Sequence, residues 1–374
     1  MKFAIITHAL HKVKGEKLYA YEPYVKEMNI WLLQADEVLL LSPTCNDKIN
    51  EIEIPYNHKK ICLNKIPNIN ILTLKNKIRS LTYLPLILIK IFKVMMYADH
   101  IHIRCPGNIG LLGCAVQVLF PSKPKTVKYA GNWDPNSKQP TSYKIQKWIL
   151  SNTFLTKNCK VLVYGNWKNQ SKNIVPFFTA SYKKSEIEII EKKSLSATIT
   201  FLFVGSFSEG KQPFLSVKVI ENLILKGFNV KLEMFGEGAQ FNKIKEYVKN
   251  NSLEKTIILH GNKSKDIVKK AYKKAHFLLF ISKSEGWPKV VAEAMFWRCL
   301  PISSKVSCVA YMLDNGARGS LVMSNVTLEE LKQIIIKYIE NEGVYQKQVL
   351  KAQEWSQQFT IDKFSKEIKK IIHE

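Results

Sequence analysis

The chain has 374 residues, 46% of them hydrophobic and 11% aromatic, with 56 Lys plus Arg against 31 Asp plus Glu and a formal charge of +25. Length and apolar content fit two folded domains and exclude a disordered chain. The basic surface attracts anions, but only four arginines stand among the cations (Arg79, Arg104, Arg298 and Arg318), a poor supply for reading nucleic-acid bases, so no nucleic-acid partner is expected.

In chain order, MKFAIITHAL opens with a short apolar run and no cleavage motif, read as a first strand, Phe3 to Thr7, rather than a signal peptide. A helix over Tyr19 to Gln34, a strand over Glu37 to Leu41 and a strand near Ile69 to Leu74 follow. Leu84 to Ala98 is the longest apolar stretch. Lys90 and Lys93 interrupt it, and it is shorter than the roughly 20 residues needed to cross a bilayer. It reads as a packing helix, with interfacial docking of Leu84 to Tyr97 on an anionic membrane as the alternative. Then come strand His100 to Arg104, helix Ile109 to Leu119, strand Thr126 to Tyr129, helix Tyr143 to Leu155 and strand Lys160 to Tyr164.

The second half alternates more clearly. Strand Thr200 to Val204, helix Pro213 to Leu225, strand Val230 to Phe235 and a helix to about Lys249 are followed by strand Thr256 to His260 and helix Lys265 to Ala275. Strand His276 to Ser282, helix Pro288 to Trp297 and strand Leu300 to Ser303 complete the series, and the tail from Thr327 is helical. Apolar runs of this length between helices imply parallel sheets buried on both faces. The expected domains are 1–182, a charged linker at 183–198, 199–354, and a C-terminal helix over 355–374 packing back on the first domain.

Ligands of such sheets bind where strands end and helices begin. Gly205 allows close backbone approach, and Lys211, before a helix opened by Pro213, can place an ammonium on a phosphate. Gly236 and Gly238 flank the turn after the next strand. In SEGWPKVVAEAM, Glu285 and Glu293 stand eight positions apart, about 12 Å if helical, too far for a glycoside-hydrolase pair and better suited to two ends of one extended ligand. A sugar, a diphosphate and a ribose fit that span. In the first domain His8, His11, Gly15, Glu27, Asn132 and Asp134 are candidate acceptor contacts. Seven cysteines without C-x-x-C spacing argue against disulfides and a zinc site, and no D-x-D pair suggests a divalent metal.

The order and spacing of Gly205, Lys211, Gly236-x-Gly238, Gly261, Glu285-x7-Glu293, Ala294-Met295 and Pro301 resemble glycosyltransferase family 4. YAGNWDP, VSCVAYMLDNGARG and EPYVKEMNIW add a likeness to its bacterial cell-surface or capsular polysaccharide members. The resemblance implies a GT-B architecture: two doubly wound Rossmann-like domains facing across a cleft, with a helical tail. It implies a retaining, metal-independent, cytoplasmic enzyme, at the inner membrane face or free, that uses a UDP- or GDP-linked sugar and a saccharide or lipid-linked acceptor without a cofactor. Lys211 would meet the diphosphate, Glu285 the sugar hydroxyls and Glu293 the ribose, with Gly205, Ser206, Gly236, Gly238, Gly286, Trp287, Pro288 and Lys289 around the donor. Ser206 stands where the family commonly has Arg, so that pyrophosphate contact is either missing or supplied elsewhere, by Lys289 or Arg318. Arg298 replaces a usual glycine. The competing readings are a nucleotide-sugar epimerase and a catalytically degenerate nucleotide-sugar-binding protein.

Overall fold

The computed structural model describes residues 1–50, 52–69 and 73–373, without the side chains of 74–79. It divides into two compact units, Met1–Phe177 with Phe364–Glu374, and Phe178–Lys363.

The first unit carries β1 (Lys2–Ile6), β2 (Lys12–Lys14), β3 (Lys17–Tyr21), β4 (Glu37–Pro43), β5 (Glu53–Pro55), β6 (Ile61–Ile66), β7 (His100–Cys105), β8 (Lys125–Tyr129), β9 (Cys159–Tyr164) and β10 (Ile174–Phe177). Seven of these form a parallel sheet in the order β10-β9-β8-β7-β1-β4-β6, and β2-β3-β5 form a small antiparallel ribbon. Its helices are α1 (Glu22–Trp31), α2 (Leu74–Tyr97), α3 (Asn108–Val116) and α4 (Thr141–Ser151). Side chains from α2, α3 and α4 share one core with Ala4, Ile6, Ile101, Ile103, Val127 and Val161, so all three helices cover the same face of the sheet.

One expected element is corrected, and another cannot be compared. The helix expected from Tyr19 begins only at Glu22, because Lys17–Tyr21 pairs with β2 and β5 and Pro23 then opens the helix. The strand expected near Ile69 to Leu74 falls largely outside the described residues, and the strand that pairs with β4 is Ile61–Ile66. The apolar stretch is also longer than its sequence suggested. Helix α2 has 24 residues and includes Pro85. Ser80–Tyr97 is long and apolar enough to cross a membrane by length and composition, with mean hydropathy 1.4.

The second unit holds β11 (Ile199–Val204), β12 (Val230–Phe235), β13 (Ile257–Gly261), β14 (Phe277–Phe280), β15 (Leu300–Ser304) and β16 (Ser320–Val322), parallel in the order β13-β12-β11-β14-β15-β16. Its helices are α5 (Pro213–Leu225), α6 (Phe241–Asn250), α7 (Lys265–Lys274), α8 (Lys289–Phe296), α9 (Val309–Met312), α10 (Leu328–Glu340) and α11 (Glu342–Ser356); α12 (Ile361–His373) carries the chain back to the first unit. There Phe364 meets Phe177 at 5.4 Å between ring centroids. The two sheets and the helical tail are the α/β architecture expected from the alternating pattern.

The segment expected to link the domains is anchored within the second unit. The Lys193 ammonium donates to the carbonyls of Tyr272, Ala275, Trp297 and Arg298 at 2.6–3.1 Å, tying off the C-terminal ends of α7 and α8. Burial draws its pKa down to about 8. All seven cysteines are unbridged, and five are buried.

Candidate functional site

The carboxyl ends of β11, β12 and β14 bring three loops together in the second unit. After β11 the chain turns at Gly205, whose amide donates to Phe235 O at 3.0 Å, while Phe207 N donates to Glu237 O at 2.9 Å. The glycines after β12 are held by backbone crowding. A Cβ on Gly236 would lie 2.0 Å from Gly205 O, and one on Gly238 would lie 2.8 Å from Phe207 O, at φ of +125° and +154°. A Cβ on Gly205 would meet nothing, so that backbone borders open space.

A short turn, Glu209–Lys211, leads into α5, with Gln212 left-handed at φ +49° and Pro213 in the first helical turn. Gln212 donates to Ile281 O and Ser324 O, and Lys283 N donates to Gly210 O at 2.8 Å, so the loops after β11 and β14 are tied together. Between them the Lys211 ammonium is ion-paired to Glu285, with side-chain exposures of 24% and 12%. Its Nζ also lies 4.8 Å from the Phe280 ring centroid. The Glu285 loop is set from the loop after β15: Ser307 Oγ and Cys308 Sγ both donate to Gly286 O. Trp287 and Pro288 are buried, Trp287 against Trp355 and Phe359, so they support the loop and offer little surface to a ligand. Ser206 is exposed, with its hydroxyl 3.1 Å from that of Ser208. Lys289 opens α8.

Glu293 is differently occupied. On the second turn of α8, its carboxylate accepts from Ser181 Oγ at 2.5 Å and from Tyr272 OH at 3.5 Å. The crevice beside it, bordered by Ser181, Tyr182, Lys289 and Phe296, has room for about 10 Å³, one water at most. Burial and the Glu293 charge push the Tyr182 and Tyr272 hydroxyls to higher pKa. Ser181 was not among the expected site residues, and no short motif announces it, since 112 positions separate it from Glu293.

The other basic candidates are committed elsewhere. Arg318 is 3.4 Å from Asp314 and 5.1 Å from the Trp355 ring centroid, which corrects its expected phosphate contact. Arg298 stands left-handed at φ +56° at the end of α8, the conformation for which glycine is the usual residue, and is held by Gln353 and by Ile190 O.

In the first unit most acceptor candidates turn out to be structural. His11 is fully buried, with Nδ1 2.8 Å from Ala9 O and Nε2 2.9 Å from Tyr56 OH, and burial lowers its pKa to about 4. Glu27 is buried and ion-paired with Arg104, whose guanidinium lies 5.5 Å from the Tyr24 ring centroid. Neither side chain is open to an acceptor, and both expectations are corrected. Gly15 sits in the exposed turn between β2 and β3, at φ +59°. Asn132 Oδ1 accepts from Asp134 N, and Asp134 Oδ1 from Asn136 N, both at 2.9 Å, so these side chains shape the loop after β8. His8 is exposed, its ring against Gly107, where a Cβ would lie 2.7 Å from Nδ1. Burial of its inner side and the Arg104 charge lower its pKa.

Residues 185–355 match the family described as Glycosyl transferases group 1. An uncharacterised glycosyltransferase of Methanocaldococcus jannaschii is 30% identical over 173 residues, 46% of this chain and 47% of that protein. The poly(glycerol-phosphate) alpha-glucosyltransferase of Bacillus subtilis is 25% identical over 146 residues, 39% of this chain and 21% of that protein. The matched region thus spans about half of the first relative and a fifth of the second. Over the whole chain, the UDP complex of HepE from Anabaena is similar in structure, with a TM-score of 0.68 at 13% identity, covering 100% of this chain and 99% of that one. That likeness and the two parallel sheets define a GT-B glycosyltransferase fold.

Proposed function

We propose that the chain is a retaining, family 4 glycosyltransferase that moves a sugar from a nucleoside-diphosphate donor to a saccharide or lipid-linked acceptor in cell-surface polysaccharide synthesis. The observation that carries this reading is the meeting of Lys211 and Glu285 beside the open backbone of Gly205, within the segment that matches the group 1 family. As the bond from the anomeric carbon to phosphate breaks, positive charge grows on the sugar and negative charge on the departing diphosphate. Lys211 and the amides at the start of α5 and α8 stabilise the second, and Glu285 holds the sugar's hydroxyls.

UDP is the first nucleotide to test, because the similar HepE structure is a UDP complex; GDP is the second. Retention is supported by the alpha-glucoside product named for the Bacillus relative, since the common nucleotide-glucose donors are themselves alpha. In this reading protein cations serve in place of a metal, so added chelator leaves the rate unchanged, and the first unit takes the acceptor at the inner face of the cytoplasmic membrane.

The test is nucleotide release from a panel of UDP- and GDP-sugars in the presence of a polyprenyl-phosphate-linked saccharide. Transfer with release supports the reading. Conversion of the sugar without release would identify an epimerase, and binding without either would identify a non-catalytic nucleotide-sugar binder.

A further inference from the structure

We propose that the first unit carries a second anion-binding site, a lysine-lined cavity at the amino ends of β7, β8 and β9 that takes a small molecule bearing a phosphate or diphosphate group. Its volume is about 470 Å³, within the roughly 300–1,000 Å³ typical of small-molecule pockets. The walls come from the starts of those strands, the turn after α4, the segment before β10 and the end of α12. All of these belong to the first unit. Ligands of parallel sheets ordinarily bind at the carboxyl ends of the strands, where His8, Gly107 and Asn132 stand in this unit. The cavity lies at the other edge of the sheet, so the donor and acceptor reading leaves it without a role.

Charge selects the ligand. Lys125, Lys157, Lys160 and Lys172 line the cavity with His100, and among the described residues no acidic side chain does. A concave surface of one sign concentrates ions of the other. The deep end is formed by His100 and Lys125, each 2% exposed. His100 Nε2 lies 2.9 Å from Thr126 Oγ1, while its Nδ1 is buried with no hydrogen-bond partner among the described residues. A buried polar atom left unsatisfied carries a cost that a bound oxygen removes. Burial and then the Lys160 charge lower the His100 pKa to about 4, and burial lowers that of Lys125. An anion seated between them opposes both shifts.

Helix packing explains only part of the cluster. Helices of a parallel sheet end at the amino edge of its strands, and lysines are favoured beside their last carbonyls. Lys125 Nζ donates to Phe120 O, and Lys160 Nζ reaches Ile371 O at 3.4 Å. An ammonium has three donors, so the Phe120 carbonyl leaves Lys125 able to meet a ligand as well. Lys157 and Lys172 are exposed on the rim and donate to no carbonyl or carboxylate among the described residues. Lys157 stands instead 4.9 Å from the Phe154 ring centroid. Capping of helix ends does not account for these two, whereas an anion held between the rim and the buried Lys125 does.

The test is calorimetric titration of the full chain carrying Lys211→Ala with sodium pyrophosphate, at an ionic strength held constant with sodium chloride. The substitution removes the donor-site cation, and no transfer is measured, so failure here and failure of the transferase reading are separate results. Binding is expected, together with slower hydrogen exchange in residues 153–160 and 171–174. Lys157→Gln with Lys172→Gln weakens binding at least about tenfold. Lys144→Gln with Lys168→Gln, exposed lysines outside the cavity that remove the same charge, changes it less than about twofold. Thermal midpoints within about 2 °C of the parent show that the variants remain folded, and the exchange pattern of the parent chain tests the site without them. No binding, or equal weakening by both pairs, would overturn the proposal and leave only the general attraction of a +25 chain. Protection confined to the loops after β11 and β14 would overturn it too, by assigning the ion to the donor loops.

Discussion

Lys211 and Glu285 are ion-paired across two loops, 74 positions apart in sequence, with the ammonium over the Phe280 ring. If the donor diphosphate takes Lys211, it must draw the ammonium away from this carboxylate or share it. The two residues therefore affect binding in opposite directions. Lys211→Ala removes the cation and leaves Glu285 facing phosphate oxygens, so UDP affinity should fall about tenfold to a hundredfold. Glu285→Ala frees the ammonium, so UDP should bind as well as before or more tightly while transfer is lost. Calorimetric titration with UDP beside a transfer assay reads the split. Equal losses of affinity in both variants would mean that the pair serves only to join the loops.

The Ser181 hydroxyl occupies the Glu293 carboxylate that a ribose would need. Removing one hydrogen bond changes binding by about 1 kcal/mol, or roughly fivefold. Ser181→Ala should therefore tighten UDP binding by up to about that factor if Glu293 receives the ribose, and Glu293→Ala should abolish the gain. The double-variant comparison is decisive, since a structural role for Ser181 would weaken binding in both backgrounds.

Gly236 tests the join between the loops after β11 and β12. An alanine there would place its Cβ 2.0 Å from Gly205 O, a backbone atom that moves only with its whole turn. Gly236→Ala should destabilise the second unit by about 2–3 kcal/mol and displace the Gly205 backbone, read as a lower urea midpoint together with weaker nucleotide binding. Gly210→Ala, where the added carbon meets nothing, is the control and should leave both measurements near the original values.

Acid should unfold the second unit through His276. Its Nδ1 accepts from Thr200 N at 3.0 Å and its Nε2 donates to Ser194 O at 3.1 Å, an arrangement that requires the neutral ring. Burial, then the nearby Lys193 charge, lowers its pKa to about 4. In the unfolded chain it returns to about 6.5, so the neutral ring's contribution is complete above that pH and is lost as pH falls toward 4. The gap corresponds to about 3 kcal/mol. Urea midpoints should decline across that window, and His276→Gln, though less stable at neutral pH, should show a shallower decline.

The parallel sheets were legible because both faces are buried. Ile199–Val204 and Phe277–Phe280 read as continuous apolar runs, and a run of that kind between helices has few other places to go. Gly205, Lys211 and Glu285 were legible for a related reason, since the ends of parallel strands gather their loops whatever the rest of the chain does. The ribbon was not. Lys17–Tyr21 runs directly into α1, and only pairing with β2 and β5 makes it a strand.

By itself, then, the sequence determined the alternating α/β plan, the loops that meet after β11 and β14, and the excess of cations, because each is written in local periodicity, turn chemistry or composition. Tertiary structure alone decided what each polar group faces. It gave Glu293 to Ser181, Glu27 to Arg104 and the Lys193 ammonium to four carbonyls, and it left the outer stripe of α2 bare. The physical reason is that a partner is chosen by where distant segments cross, and periodicity, which extends only a few residues along the chain, carries no record of those crossings.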